Sequence, residues 1–205
     1  QDIQNAVNGV EACVMAPILN LFVVWLLKEA ERKKIRHLFF LARDSYPLYL
    51  IAGQYCEKLQ LKLKCSYFYC SRYSLRVPMY SENTQEALDH VCRGGIDVTL
   101  RKILIRSGFE LQKAEELREY FEMDRELDAV IPYPELKNIK KELSANKKYM
   151  EMLRSVSTSK RDTVYRYFRQ EGMLEEKIGI VDSGWTGTTQ KSINKIRKKC
   201  GCRTG

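Results

Sequence analysis

The chain has 205 residues, of which 44% are hydrophobic and 30% charged, and this ordinary globular mixture excludes a disordered or fibrous protein. Its formal net charge of +9 at pH 7 favours anionic ligands such as phosphates. Because no basic motif with interleaved aromatic residues and no helix-turn-helix signature stands out, nucleic acid is not expected as a partner.

The cysteines and the longest apolar stretch bear on the compartment of the protein. Seven cysteines, an odd number in a long chain, argue against a disulfide framework, and reduced thiols indicate the cytoplasm. The chain opens without the basic leader of a signal peptide. The apolar stretch Ala12 to Leu27 contains Pro17 and Asn20 and falls short of the about 20 residues of a membrane-spanning helix. We therefore expect a buried helix there, no membrane span, and solubility without detergent.

The first part of the chain is predicted to alternate helices and strands. A mostly apolar helix is expected from Glu11 to Lys34, and a second from Leu48 to about Lys62 with Pro47 at its start. The runs Arg36 to Ala42 and Lys64 to Cys70 are short and apolar, as in strands that are buried on both faces. This alternation is typical of a parallel α/β sheet.

The middle of the chain is predicted to be helical, and the end returns to the sheet. A third strand is expected at Lys177 to Val181, followed by a helix from Thr186 to Lys199. The expected middle helices are three short amphipathic ones and a long charged one with an interruption near Ser155 to Ser159: Thr84 to Cys92, Thr99 to Ser107, Lys113 to Met123, and about Glu135 to Gly172.

The predicted fold is an α/β domain with a mostly parallel central sheet, either Rossmann-like or phosphoribosyltransferase-like. Residues 1–83 and 173–205 are expected to form the α/β core, and residues 84–172 a helical insertion or lobe. The glycine-rich end after the last helix resembles a connection into a further strand. We therefore expect the chain to be a piece of a longer protein, whose remaining part is a partner.

The strongest functional signal is the polar loop after the third strand. A buried strand ends in an acid, then come small and hydroxyl residues, and then a helix begins, so backbone N–H groups and hydroxyls can hold an anion. Asp182 can bind a sugar hydroxyl, hold a metal, or simply cap the helix, and a tight turn without a ligand is the alternative. The loop comprises Asp182, Ser183, Gly184, Trp185, Thr186, Gly187, Thr188, Thr189 and Gln190.

A second signal follows the first strand, where Arg43, Asp44 and Ser45 come directly after a wholly apolar run. An arginine can grip a phosphate or carboxylate with two hydrogen bonds, and Asp44 can orient the ligand or bind a metal. If the site uses a metal cofactor, Mg²⁺ is the one to expect beside two carboxylates and a phosphate. The alternative is a structural Arg–Asp pair that closes the strand end.

A third, weaker signal follows the second strand, where Ser71 and Arg72 offer another hydroxyl and another guanidinium. In open α/β sheets ligands bind at the carboxyl ends of the strands. Because all three strand ends carry polar side chains of similar chemistry, the sequence predicts one ligand site at this edge of the sheet. His37, at the start of the first strand, and His90, in the middle helices, have no metal-ligand spacing around them and are not expected to act in it.

Three blocks of the sequence resemble a bacterial family of predicted haloacid-dehalogenase-like hydrolases that are often linked to surface-polysaccharide synthesis. The blocks are Phe40 to Tyr46, Tyr69 to Leu75 and Val181 to Gln190, and in that family they lie beyond the hydrolase domain, in a segment of obscure activity. The hydrolase's own Asp-x-Asp nucleophile motif is absent from these 205 residues. The resemblance therefore implies a role in surface-glycan synthesis but no dehalogenase-type phosphatase chemistry.

The loop after the third strand also resembles the phosphate loop of phosphoribosyltransferases, in which an acidic pair, three residues and Thr-Gly-x-Thr follow an apolar strand. Asp182 and Thr186 to Thr189 fit that spacing, whereas Val181 replaces the first acid. The segment Leu41 to Leu48 looks like the diphosphate loop of the same enzymes without its usual glycines. This resemblance implies a related fold, with Asp182 on the ribose and Thr186 to Thr189 on the 5-phosphate.

The function expected from these signals is binding of a phosphorylated small molecule, a sugar phosphate or nucleotide sugar, within a larger protein of surface-glycan synthesis. A phosphoribosyltransferase-like transfer is the enzymatic alternative. A non-enzymatic interaction module, with the helical lobe docking a partner, is the other.

Overall fold

The computed structural model describes residues 2–184 and 187–202. The chain divides into two compact units, each with its own hydrophobic core. The first unit comprises Gln1–Ser71 and Arg169–Gly205, and the second is the continuous segment Arg72–Phe168. The predicted helical insertion, residues 84–172, overlaps the second unit over residues 84–168.

The first unit is built on a small parallel sheet of three strands, β1 (His37–Leu41), β2 (Lys64–Phe68) and β3 (Ile178–Val181). The order is β2-β1-β3, with β1 in the centre and parallel to both neighbours. All five residues of β1 are buried, which explains why its sequence is one continuous apolar run after the histidine. The prediction that these three segments are neighbouring strands of one sheet is confirmed, as is the α/β class.

Helix α1 (Asp2–Val10), a π-helical turn (Glu11–Met15) and helix α2 (Ala16–Arg32) follow one another without a break as a helix of 31 residues. Pro17 cannot donate the usual backbone hydrogen bond to the preceding turn, which accounts for the wider turn just before it. Only Val23, Leu27 and Ala30 are buried among the residues of α1 and α2. The expectation of a buried helix from Ala12 to Leu27 is therefore wrong for most of its length.

The burial pattern differs from the expectation because the helix is apolar on two opposite faces. At 100° per residue, Val23, Leu27 and Ala30 lie on the face that packs against the sheet and helix α3 (Tyr46–Lys58). By length and composition this helix is able to cross a membrane, with a mean hydropathy of 2.1 over its most apolar window, but core helices and signal sequences share these properties. On the opposite face, a stripe of exposed apolar side chains runs from the first turn of the helix to Trp25: Ile3, Val7, Val10, Val14, Ile18, Leu21 and Trp25.

The second unit is entirely helical apart from one isolated bridge between Thr99 and Val130. Its core is centred on the rings of Phe109, Phe121 and Tyr149, whose centroids lie 5.5–5.7 Å apart. The buried Tyr149 hydroxyl is satisfied by the Ser107 hydroxyl at 2.7 Å. The helices are α4 (Arg72–Arg76), α5 (Thr84–Val91), α6 (Leu100–Arg106), α7 (Ala114–Tyr120), α8 (Leu136–Ala145) and α9 (Lys147–Glu171).

The long charged helix predicted from about Glu135 to Gly172 is broken at Asn146 and not near Ser155 to Ser159. Asn146 leaves the helical conformation with ψ at 102°, and its side-chain oxygen accepts a hydrogen bond from the Tyr149 N–H at 3.0 Å. The serines are tolerated inside α9 because buried Ser157 donates a hydrogen bond to the Pro78 carbonyl at 3.0 Å. A serine run thus marks a packing contact here, not a helix end.

Candidate functional site at the carboxyl edge of the sheet

The parallel arrangement of the three strands brings the loops that follow them to one edge of the sheet. In the strand register, Leu41 lies opposite Phe68, and Phe40 lies opposite Val181. Arg43 therefore follows the central strand by two residues, and Asp182 directly follows its neighbour. The structure thus places the two strongest loops predicted from the sequence next to each other.

Ser45 holds these two loops together. Its side chain is only 1% exposed, and its hydroxyl donates a hydrogen bond to the Val181 carbonyl at 3.2 Å. The Ser45 N–H also donates to the Leu41 carbonyl at 3.4 Å. The sequence predicts Ser45 as a ligand contact, but its hydroxyl is committed to the end of β3, so it positions the site instead.

Arg43 and Asp44 form a loose ion pair on the surface. The Arg43 Nε lies 3.5 Å from the Asp44 Oδ1, and the two side chains are 94% and 72% exposed. Such an exposed pair contributes little to stability, because water screens both charges. The Arg43 guanidinium is therefore able to leave Asp44 for an incoming anion. The Arg43 backbone is held in place by the Tyr67 hydroxyl, which donates to its carbonyl at 3.3 Å.

The loop after β3 begins with a tight turn around Asp182. The Gly184 N–H donates a hydrogen bond to the Asp182 Oδ1 at 2.9 Å. A Cβ atom at position 184 would lie 2.9 Å from the same oxygen, so a larger residue there would displace the Asp182 carboxylate. Asp182 thus caps its own turn, while Gly187, with φ at +58°, is the residue that precedes the next helix. Ser183 is exposed.

Helix α10 (Thr188–Lys199) starts two residues later than predicted and directs its first backbone N–H groups toward the loop. These groups, with the partial positive charge of the helix end, favour a negative ligand. Thr188 and Thr189 lie in this first turn, and Gln190 is exposed. Trp185 and Thr186, which the sequence also predicts as ligand contacts, lie outside the described residues.

The third predicted segment is divided between the two units. Ser71 is the last residue of the first stretch of unit one and is exposed. Arg72 opens helix α4 in the second unit, where it lines a cavity that is described below. Ser71 therefore belongs to the first unit and Arg72 to the second.

Cys70 is a member of this edge that the sequence interpretation missed. Burial raises the pKa of the Cys70 thiol to about 11, with the negative charge of Asp182 as the second cause and a hydrogen bond from Ala42 acting in the opposite direction. The thiol lies close enough to Asp182 to feel its charge and stays protonated at neutral pH. Cys70 is therefore a half-buried neutral group here and not a nucleophile.

Four tyrosines were also missed, and they form a cluster beside Arg43. The Tyr67 ring packs edge-on against Tyr46 at 5.2 Å and against Tyr69 at 5.0 Å, and Tyr49 lies 5.9 Å from Tyr67. Tyr46 and Tyr69 are exposed, and Tyr67 links the cluster to the Arg43 backbone through its hydroxyl. The signal was present in the alternation of Tyr67 and Tyr69 along the end of β2, where residues two apart share a face.

The carboxylates at this edge are Asp44 and Asp182. Over residues 2–184 and 187–202, no group of three or more histidine, cysteine, aspartate or glutamate side chains is arranged to hold a metal ion.

The opposite, amino edge of the sheet carries a cavity of about 490 Å³. Its floor is apolar, and its rim includes Lys28, Lys34 and Lys177. Also at the amino edge, buried His37 lies with its Nε2 2.8 Å from the Ser66 hydroxyl. We give preference to the carboxyl edge because ligands of open parallel sheets bind there and because the polar loops converge there.

Comparison of the chain with models of protein families and with curated proteins found no match.

Proposed function

We propose that the carboxyl edge of the first unit binds a phosphorylated small molecule, a sugar phosphate or nucleotide sugar. One observation carries this proposal. The central strand β1 comes first in the chain, and β2 and β3 are then added on its two sides. The loops after β1 and β3 therefore flank the point where the strand order reverses. Such switch points are where doubly wound sheets, Rossmann-like or phosphoribosyltransferase-like, hold their ligands.

The chemistry of the two loops suits a phosphate. Arg43 offers an exposed guanidinium, which binds phosphate oxygens in pairs. The first turn of α10 offers backbone N–H groups, and the helix end adds about 0.3–1 kcal/mol for an anion. A charge-assisted contact from Arg43 contributes roughly 1.5–3 kcal/mol. Together these contacts support affinity near the millimolar range, so tighter binding requires contacts to the rest of the ligand.

The remaining contacts favour a ligand with a ring and hydroxyl groups over inorganic phosphate. The exposed faces of Tyr46 and Tyr69 suit the stacking of a sugar or base, worth about 1–3 kcal/mol per stacked base in nucleic-acid complexes. The Asp182 carboxylate is a natural acceptor for sugar hydroxyls. The assignment to surface-glycan synthesis in a bacterial cytoplasm, within a longer chain, rests on the family resemblance of the three sequence blocks.

Binding is a better supported function than phosphoribosyl transfer. Those transferases carry an acid where this chain has Val181, and Val181 is 5% exposed and packed in the core. A buried apolar side chain therefore stands where those transferases have an acid, and a small movement of the loop would not supply the missing carboxylate.

The test is calorimetry with ribose 5-phosphate, a nucleotide sugar, phosphoribosyl diphosphate and inorganic phosphate. We expect Arg43→Ala to weaken binding of the sugar phosphates by about tenfold or more, with an unchanged circular dichroism spectrum. Thr188→Val should weaken it less, because the backbone donors of α10 remain. Arg154→Ala, an exposed arginine of the second unit, is the control and should change little. Equal affinity of wild type and Arg43→Ala would leave Arg43 and Asp44 as a structural pair and overturn this site.

A further inference from the structure

The second unit contains a cavity of about 440 Å³ that is lined by four arginines, Arg72, Arg76, Arg93 and Arg106. Its other lining residues are Tyr73, Tyr80, His90 and Gly94, so none of the residues that line it, all of them in the described part of the chain, is acidic. The volume falls in the range of about 300–1,000 Å³ that is usual for small-molecule sites. Four guanidinium groups around one such volume favour a negatively charged ligand.

The arginines converge from three separate elements. Arg72 and Arg76 are four residues apart on α4, which places both on one face of that helix. Arg93 follows the end of α5, and Arg106 ends α6. Because the positions are distant in sequence and meet only through the fold, the cluster is a property of the tertiary structure and not of a local basic run.

Arg106 is fixed by the fold and defines one wall of the cavity. Its Nη1 donates hydrogen bonds to the Arg93 carbonyl at 2.6 Å and to the Val91 carbonyl at 3.3 Å. The Tyr80 hydroxyl in turn donates to the Arg106 carbonyl at 3.2 Å. The wall is therefore ordered before any ligand arrives, which lowers the entropy that binding must overcome.

The positive charge of the cavity is not cancelled by its tyrosine. Burial raises the pKa of Tyr80 to about 12, so the phenol is neutral at physiological pH and supplies no counter-charge. Burial is the first cause that lowers the pKa of Arg76, and the charges of Arg72 and Arg93 lower it further, although Tyr80 and Glu86 act in the opposite direction. The contributions of Arg72 and Arg93 indicate that both guanidinium groups lie close enough to Arg76 to repel it electrostatically. An anion between them would remove that repulsion.

Outside the lining, Lys160 adds a further positive charge next to Tyr73. Its Nζ lies 5.1 Å from the centre of the Tyr73 ring and donates a hydrogen bond to the Tyr73 hydroxyl at 3.0 Å. Lys160 therefore extends the positively charged region beyond the cavity, on the side of Tyr73.

We propose that this cavity, formed by residues of the second unit, is a second ligand site and that it takes a compact polyphosphate group of two or more linked phosphates. Arginine forks match phosphate oxygens in pairs, and a single phosphate would meet only part of a cluster that comes from three elements. The shared chemistry is a chain of phosphates, either free or at the end of a nucleotide.

The experiment uses the full chain and calorimetry with tripolyphosphate, pyrophosphate, a nucleoside triphosphate and sulfate. Arg72 and Arg93 are exposed, so the double variant R72A/R93A is expected to fold, as circular dichroism will verify. We expect it to bind tripolyphosphate at least about tenfold more weakly than wild type. Arg76→Lys keeps the charge but removes the fork, and should also weaken binding. Arg154→Ala is the control from the same unit.

The two sites are distinguished by the Arg43→Ala variant. If the arginine cavity binds polyphosphate, the Arg43→Ala variant should bind tripolyphosphate as tightly as wild type, and R72A/R93A should not. This expectation does not depend on the affinity of either variant for sugar phosphates. If R72A/R93A binds tripolyphosphate within twofold of wild type, the proposal is wrong, even where the sheet-edge site stands. Nucleoside triphosphate binding that exceeds tripolyphosphate binding, and is lost in R72A/R93A, would identify a nucleotide as the source of the phosphates. Equal binding of the two would identify the free polyphosphate.

Discussion

At the residue scale, His37 connects protonation to folding. It is 1% exposed, with its Nε2 2.8 Å from the Ser66 hydroxyl and its Nδ1 3.4 Å from a Glu175 carboxylate oxygen. Burial lowers the pKa of His37 below its ordinary value, with the charge of Lys64 as second cause and the Glu175 carboxylate opposing both. The folded protein therefore keeps this ring neutral at a pH where the unfolded chain protonates it.

The free energy of unfolding should consequently fall as pH drops below about 6.5, the ordinary pKa of histidine, down to the lowered pKa of the folded state. Above about pH 7 both states hold the ring neutral, and this contribution is constant. His37→Gln should flatten the dependence between pH 6.5 and 5.5 in urea unfolding experiments. An unchanged slope in His37→Gln would refute this account.

Single residues also show what the sequence could and could not reveal about the site. Arg43, Asp44 and Asp182 stand directly after apolar runs, so their place at a strand end was readable from local pattern alone. The role of Ser45 was not readable, because its hydroxyl is bound to the carbonyl of Val181, 136 positions along the chain. Cys70 was missed for the related reason that its neighbour Asp182 is distant in sequence, whereas the alternation of Tyr67 and Tyr69 was a local signal that was overlooked.

At the scale of elements, the helix from Asp2 to Arg32 has two apolar faces that contribute unequally to the free energy of unfolding. Leu27 is 7% exposed and packs against the sheet, whereas Leu21 on the opposite face is 71% exposed. We expect Leu27→Ala to lower the free energy of unfolding by about 2–5 kcal/mol. Leu21→Ala should change it by no more than about 0.5 kcal/mol. Urea denaturation of both variants measures the difference.

Leu21 and Leu27 are a matched pair, because they share a residue type and a helix and differ in burial. Similar losses of stability in the two variants would mean that the exposed stripe is covered by another surface. Binding of detergent or vesicles that Leu21→Ala reduces and Leu27→Ala does not would identify that surface as a lipid. This outcome would contradict the expectation of solubility without detergent.

The elements themselves were predictable where one physical cause dominates. Continuous burial made β1 visible as an apolar run, and the amphipathic pattern made α5 and α6 visible near their true starts. The break at Asn146 was missed, because a helix-compatible charged sequence continues on both sides of it. The exposure of most of the segment Ala12 to Leu27 was missed, since an apolar sequence alone does not reveal which of its faces is covered.

At the scale of the whole molecule, the second unit is continuous in sequence and has a complete core of its own. The first unit is made of two separated stretches, and its strand β3 is contributed by the second of them. We therefore predict that Arg72–Phe168 alone folds to a helical, cooperatively unfolding protein. The stretch Gln1–Ser71 alone should not, because its sheet would lack β3 and Val181.

Circular dichroism and urea unfolding of the two fragments test this prediction. The fragment Arg72–Phe168 should show a sigmoidal unfolding transition. Tyr149→Ala should lower the urea concentration at its midpoint markedly, because this aromatic side chain is fully buried. A featureless unfolding curve for that fragment would show that its core depends on the rest of the chain.

The hydrogen bond from Ser45 to the Val181 carbonyl has a kinetic consequence for the proposed sheet-edge site. Because it joins the corner after β1 to the end of β3 within the fold itself, the entropy of ordering these corners is lost on folding and not at each encounter with a ligand. The exposed Arg43 side chain has still to be ordered when a ligand binds, which costs about 0.5–1.5 kcal/mol. Related ligands should therefore have similar association rate constants. They should differ in their dissociation rate constants, which depend on how strongly the Arg43 guanidinium binds each of them.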